Sequence, residues 1–251
     1  SFSGTKHFPQ DAWVDYFERL GMKYGRDINA FTGFDRTIYW LSLPVADFGT
    51  QVMDSTLLAV RDILDGVSFE PQLVEQERGV IKEELRGYST GDDFYNLKIG
   101  DGRYILRMPL GTEQDIETIS RNQLLNYYHQ WYLPQNACLV VVGNVDAQDM
   151  QKRIQATFSS IAKGLPTPLG KYPLTYKKGI TLHEVKDTVG TSSKLEFIIP
   201  HEGVVGNTIA STALKEQYRL LISAISKRLA ARGIRCDISD AWYLATQNHF
   251  S

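Results

Sequence analysis

The spacing of apolar residues along the chain predicts a mixture of amphipathic helices and short strands. Apolar positions that recur every three or four residues indicate helices, and short runs rich in β-branched and aromatic residues indicate strands. The predicted helices are 11–20, 47–64, 71–86, 94–99, 120–133, 146–161 and 214–231, and the predicted strands are 27–32, 36–43, 137–143, 180–186, 194–200 and one that begins near 238. The first two strands flank a short turn, which is typical of an antiparallel hairpin. Helices and antiparallel strands that are segregated in this way predict an α+β fold, with helices packed on an antiparallel sheet.

A segment rich in proline and glycine divides these elements into two groups. Residues 163–173, KGLPTPLGKYP, hold three prolines and two glycines in eleven positions, which is typical of a linker. We therefore predict a first domain at 1–165, a linker at 166–173 and the start of a second domain at 174–251. The chain begins with Ser1 and ends within a predicted strand, so we expect it to be a piece of a larger protein.

The predicted helix 71–86 carries two acidic residues on its apolar face. At about 100° per residue, Glu84 falls about 20° from Glu77, on an arc that also holds Leu73, Val74, Val80, Ile81 and Leu85. The residues outside this arc, which we expect to be solvated, are Glu75, Gln76, Arg78, Lys82 and Glu83. A buried carboxylate needs a cation or hydrogen-bond donors, because an isolated buried charge is too costly. The helix alone leaves two interpretations open, a salt bridge to a neighbouring helix or a metal ligand.

Composition and charge exclude several other classes of protein. The 251 residues are 43% hydrophobic and 22% charged, with a formal net charge of −2 and basic residues spread along the whole length. These values are ordinary for a globular protein and do not suggest a nucleic-acid-binding surface. Cys138 and Cys236 are far apart and predict neither a disulfide framework nor a cysteine zinc site. No apolar run approaches the length of a transmembrane helix.

Four stretches, taken together and in this order, resemble the pitrilysin/insulinase family of zinc metallopeptidases, the inverzincins. FSGTKHFP at 2–9 is similar to the segment that follows the family's HxxEH motif, and DINAFT at 27–32 is similar to its edge strand. ERGVIKEE at 77–84 is similar to the family's downstream glutamate helix, and the run from Tyr128 to Asp146 also fits. Among branches of the family, the chain is most similar to the bacterial two-half zinc proteases.

The resemblance implies a domain like those of pitrilysin and the mitochondrial processing peptidase, followed by the start of a second similar domain. It also implies a zinc site built from the two histidines of HxxEH and one downstream glutamate, with the motif's own glutamate as general base. By position, Glu84 matches the zinc ligand and Glu77 matches a supporting carboxylate. Asn29, Ala30 and Phe31 match the edge strand, to which the family adds a substrate peptide as an extra β-strand.

The HxxEH motif itself is absent from these 251 residues. If it exists, we expect it just before Ser1, so this piece would hold one of three zinc ligands and no general base. We therefore expect zinc only in the parent protein, where the partners are a peptide or unfolded-protein substrate and the other half of the polypeptide or a homologous subunit. A periplasmic or envelope location is suggested by the bacterial branch.

Two alternatives to the peptidase remain. The same fold also serves as a non-catalytic structural or partner subunit, although such subunits have no need of the helix acids Glu77 and Glu84. An unrelated α+β binding module whose acidic helix is held by salt bridges is the other alternative.

Overall fold

The structure, a computed structural model, describes residues 4–88, 104–165, 178–180, 182, 184, 201–202, 208–234, 238 and 249–250. It divides into two compact units, one of residues 1–32, 37–86 and 110–170, the other of 33–36, 87–109 and 171–251. The elements in chain order are α1 (Ala12–Arg19), β1 (Ile28–Thr32), β2 (Thr37–Leu41), α2 (Val45–Phe48), α3 (Gln51–Asp65), α4 (Pro71–Tyr88), α5 (Glu113–Thr118), α6 (Arg121–Trp131), α7 (Ala147–Phe158), β3 (His201–Glu202), α8 (Ile209–Ala230) and β4 (His249–Phe250). The predicted α+β class is confirmed.

Most locally encoded elements form where the sequence predicts them. The hairpin of β1 and β2 is antiparallel, with Ile28 opposite Leu41. Ser120 caps α6 in a capping box with Gln123, and Asp146 caps α7, because their side-chain oxygens accept amide protons that the first helical turn leaves free. The predicted helix 47–64 is instead two helices, α2 and α3, since Gly49 adopts a positive φ of 66° between them.

The predicted strand 137–143 does not form. Leu139, Val140, Val141 and Val142 are exposed, and the structure assigns no strand to them. A strand is stable only when its backbone groups pair with a neighbouring strand, and no described strand lies beside this segment. The helix α5, which is short and has a capping box between Thr112 and Asp115, was not predicted from the sequence.

Several predicted features lie outside the described residues. These are the helix 94–99, the strands 194–200 and most of 180–186, the strand near 238, and the linker 166–173. The long helix of the second unit is described, and it begins at Ile209, earlier than the predicted 214. Thr208 and Ser211 form a capping box at its start.

The apolar core of the first unit joins α1, β1 and α3. Trp13 and Phe17 of α1 are fully buried, with ring centroids 4.5 Å apart, and they pack with Ile28, Ala59 and Ile63. A second cluster joins α3 to α7 through Met53, Leu57 and Met150. The helix α3 therefore contributes to both clusters and is the central element of this unit.

A buried carboxylate on α3 ties down the loop that precedes α1. Asp62 is 1% exposed, and its Oδ2 accepts hydrogen bonds from Thr5 Oγ1 at 2.6 Å and from the His7 backbone N–H at 2.7 Å. His7 Nδ1 lies 2.7 Å from the other carboxylate oxygen. A charge removed from water in this way is tolerated because its lone pairs are satisfied.

We predict that Asp62→Ala lowers the free energy of unfolding of the chain by about 3 kcal/mol, because the Thr5 hydroxyl and the His7 amide lose a charged acceptor. Asp65→Ala is the matched control. Asp65 is one turn away on the same helix and half exposed, and its carboxylate forms only a long ion pair with Arg61, at 3.9 Å. A change within about 0.5 kcal/mol is expected for this surface variant. Urea unfolding of both variants measures the difference, and equal losses would contradict a special role for Asp62.

Candidate functional site

The two predicted site acids lie on α4 and differ in exposure. Glu77 is half-buried, whereas Glu84 is exposed. Val80, expected on the same buried arc, is 60% exposed. The expectation that both acids are buried is therefore wrong for Glu84. Among the described residues, no hydrogen bond or ion pair engages the Glu84 carboxylate.

Two cations of α4 that were expected to be solvated, Arg78 and Lys82, are half-buried and contact α5. Arg78 donates to the backbone carbonyls of Ile116 and Ile119, the latter at 3.0 Å. Lys82 Nζ lies 2.6 Å from Glu117 and 3.3 Å from Glu113, and the bond from Lys82 holds the pKa of Glu117 below its ordinary value.

Helical periodicity finds the apolar stripe of α4 but cannot tell which polar neighbours dock against α5. A signal for this docking exists in the sequence. Arg78 and Lys82 are four residues apart, as are Glu113 and Glu117, and this spacing places each pair on one helix face.

The start of the described chain lies directly beside the start of α4. The Lys6 N–H donates to the Gly66 carbonyl at 2.8 Å, and the Ser68 N–H donates to the Gly4 carbonyl at 2.9 Å. Gly4 has a positive φ of 75°, and a Cβ there would lie 2.7 Å from Leu73 in the first turn of α4. Only glycine fits so closely in this conformation. The stretch at 2–9 thus packs, through its described residues, against the beginning of the helix that carries the stretch at 77–84.

The stretch at 27–32 contains β1, which has one open edge. The Ser42 N–H bonds to the Asp27 carbonyl, so in this antiparallel register residues 29 and 31 point their backbone groups toward β2. Ile28, Ala30 and Thr32 therefore point theirs the other way. The turn before β1 covers Ile28, because the Gly25 N–H bonds to its carbonyl. In the described part of the chain, the outer edge at 30–32 has no neighbouring strand.

The three predicted edge-strand residues are accessible. Ala30 is exposed, Phe31 is 55% exposed and Asn29 is half-buried. The Ala30 N–H, which points outward, donates to the side-chain oxygen of Asn29 at 2.8 Å. Residues 29–31 lie on β1 and the two acids lie on α4, which are separate elements of the first unit.

The described residues do not make up a complete metal site. No three His, Cys, Asp or Glu side chains come together anywhere in the described part of the chain. A catalytic zinc site takes three protein ligands, and Glu84 offers one free carboxylate of the required chemistry. Within the same described ranges, no helix is both long enough and apolar enough to span a membrane.

Comparison with known protein families gives two matches. Residues 1–94 match the description "Insulinase (Peptidase family M16)", and residues 118–215 match "Peptidase M16 inactive domain". Together they cover most of the chain. The chain therefore belongs to the insulinase family of peptidases, M16, as the resemblance implied.

Two of the similar curated proteins are bacterial zinc proteases. The "Probable zinc protease PqqL" of Haemophilus influenzae is 31% identical over 238 residues, which are 91% of this chain and 25% of that protein. Its namesake in Escherichia coli is 25% identical over 236 residues, 92% of this chain and 25% of that protein. The chain thus spans about a quarter of the length of these two relatives.

A solved structure has the same fold. The crystal structure of the periplasmic protease PqqL from Escherichia coli superposes on 92% of this chain and 26% of that chain, with a TM-score of 0.74 and 25% identity. A second crystal structure, of the first half of the same protease, covers 95% of this chain and 52% of that chain with a TM-score of 0.73 and 24% identity.

We predict that the 251-residue chain, purified and mildly chelated, retains much less than one zinc ion per molecule. The reason is that the described residues bring no three possible ligands together, whereas a catalytic zinc site needs three. Inductively coupled plasma mass spectrometry of the dialysed protein measures the ratio. One zinc ion per chain would contradict this expectation.

Proposed function

We propose that this chain is part of a zinc-dependent endopeptidase, in which it supplies one metal ligand and the strand that receives the substrate. The observation that carries the proposal is the position of Glu84, an exposed carboxylate with no partner among the described residues. It lies on the helix whose first turn packs against the segment that resembles the region after HxxEH. An acid used only for stability would instead be expected in a salt bridge, as Glu117 is.

The residues of this chain fit one part of the zinc site. Glu84 would hold the metal through a carboxylate oxygen, and Glu77 would support it from the same helix two turns earlier. The other two ligands and the general base would come from an HxxEH motif, for which these 251 residues have no candidate. When bound in such a site, zinc supplies Lewis-acid activation of a hydrolytic water and of the scissile carbonyl. By this proposal the 251-residue piece is inactive alone.

The outer edge of β1 would receive the substrate as an additional strand. Backbone groups of Ala30 and Thr32 point outward there, and main-chain hydrogen bonds of this kind bind extended peptides with little dependence on sequence. An incoming peptide carbonyl would replace the side-chain oxygen of Asn29 on the Ala30 N–H. The substrate class that fits is therefore a peptide or an unfolded segment, which can lie flat along an edge strand.

The remaining parts of the protein are proposed from its relatives. The crystal structure of PqqL describes a periplasmic protease, and we infer the same compartment here. We also infer a second half, in the same polypeptide or in a homologous subunit, that completes the enzyme.

We predict that Glu84→Gln in the full-length protein abolishes stoichiometric zinc binding and lowers kcat/KM for a peptide by more than about 100-fold, above the range for outer-shell partners. Glu83→Gln is the matched control, because Glu83 is adjacent, exposed and paired with Arg86. Zinc content and peptide hydrolysis are measured on both. A Glu84 variant that keeps zinc and activity would favour the salt-bridged or non-catalytic alternatives.

We predict that Ala30→Pro in the full-length protein raises KM for a peptide by roughly 10-fold, the equivalent of one lost hydrogen bond. The Ala30 N–H points away from β2, so proline is tolerated at this edge position without breaking the hairpin. Ala30→Ser keeps the N–H and serves as the control. Steady-state kinetics and circular dichroism are compared, and an unchanged KM in a folded proline variant would exclude this edge as the binding strand.

A further inference from the structure

Two arginines connect α4 to its neighbours. One is on α4 and donates to the end of α5, and the other is on α6 and donates to the residues just before α4. Arg78 on α4 donates to the carbonyls of Ile116 and Ile119, at the end of α5. Such carbonyls have no partner within their own helix, and they form the negative end of its dipole. The guanidinium therefore binds where it is favoured by both hydrogen bonding and charge. The Arg78 side chain is 18% exposed, and the carboxylate of Glu75 raises its pKa further.

The second arginine lies outside α4 and donates to backbone carbonyls that precede this helix. Arg121, the first residue of α6, donates from Nε to the Phe69 carbonyl at 2.5 Å and from Nη2 to the Ser68 carbonyl at 3.3 Å. These carbonyls lie just before α4. Phe69 has a positive φ of 48°, unusual for a bulky residue, and its ring packs on Tyr128 at 5.3 Å between centroids. The entry of α4 is thus fixed in a strained conformation that its surroundings must maintain.

These contacts fix the rotation of α4 about its own axis. Arg78 and Lys82 are both held by α5 and lie about 40° apart around the helix. On the same scale, Glu77 and Glu84 lie about 100° and 120° from Arg78, together on a different face. Turning α4 by about 20° would move a carboxylate roughly 6 Å from the axis by about 2 Å. Metal–ligand distances vary by only about 0.2 Å, so a free rotation would disrupt a zinc ligand.

We propose that Arg78 and Arg121 are positioning residues that set the direction of the Glu84 carboxylate by fixing the rotation and entry of α4. The inference rests on the proposed function, since it gives Glu84 the role of zinc ligand. In this proposal both arginines act through backbone carbonyls and not by contact with the metal or the substrate. Their effect is exerted through the backbone of α4, which makes them outer partners of the site.

The test uses Arg78→Ala, Arg121→Ala and Arg78→Lys in the full-length protein. The zinc dissociation constant is measured by competition with a chelator, and kcat, KM and Tm are measured beside it. We expect the two alanine variants to bind zinc about 10- to 100-fold more weakly, with a lower kcat and an unchanged KM. Arg78→Lys keeps the charge and the fold but lacks the planar fork for two carbonyls, so zinc binding is expected between the wild type and Arg78→Ala.

The matched control is Arg153→Ala on α7. Arg153 is 24% exposed and pairs with Asp54 and Asp149, so its loss removes a guanidinium of similar burial far from α4 in sequence. Variants of Arg78 that bind zinc no more weakly than Arg153→Ala would overturn the inference, whatever their Tm. If Glu84→Gln also keeps zinc, the proposed function fails with it. If Glu84→Gln loses zinc while both alanine variants keep it, only the positioning role fails.

Discussion

The first unit depends on one buried carboxylate. Asp62 lies on α3, the helix that contributes to both apolar clusters, and its oxygens hold Thr5 and His7 from the loop before α1. Burial makes an unpaired carboxylate very costly, so the loop has to stay in the one position that satisfies it. The interaction therefore specifies where Thr5 and His7 lie, and removing the carboxylate would leave their donors without a charged acceptor.

A buried tyrosine, Tyr128, hydrogen-bonds the turn that leads into α4, the helix that carries the candidate site acids. The Tyr128 hydroxyl donates to the Ile63 carbonyl at 3.0 Å and accepts the N–H groups of Gly66 and Val67. Burial raises the pKa of Tyr128 to about 12, so the hydroxyl keeps its proton at any physiological pH. It fixes the turn between α3 and α4 on which the chain start and Arg121 also act. The direction in which α4 leaves the core is thus determined by hydrogen bonds to backbone groups.

The charged residues of α4 fall into two groups, those that contact α5 and those that face solvent. Arg78 and Lys82 face α5, where carbonyls and carboxylates accept their protons, while Glu84 remains exposed. Exposed ion pairs contribute about 1 kcal/mol or less each, so the importance of this face lies in orientation rather than in stability. Among the described residues, the cations of α4 are engaged and the Glu84 carboxylate has no partner, which suits its proposed role as a metal ligand. In the same proposal, the open edge of β1 would supply the surface for an extended chain that a peptidase needs.

The sequence by itself determined the elements that depend on near neighbours. Helical periodicity, the capping boxes and the alternation in the hairpin are local properties, so α1, α4, α6, α7 and the β1–β2 pair were predictable, as were the family and the candidate acids. The exposed face of α4 was not, because it depends on α5, which lies some thirty residues further along and whose carbonyls attract Arg78. The absence of a strand at 137–143 was not predictable either, since a strand needs a neighbouring strand to pair with, and local patterns cannot reveal whether one is present. Only the tertiary structure decided these points, because burial and backbone pairing are satisfied by residues distant in sequence.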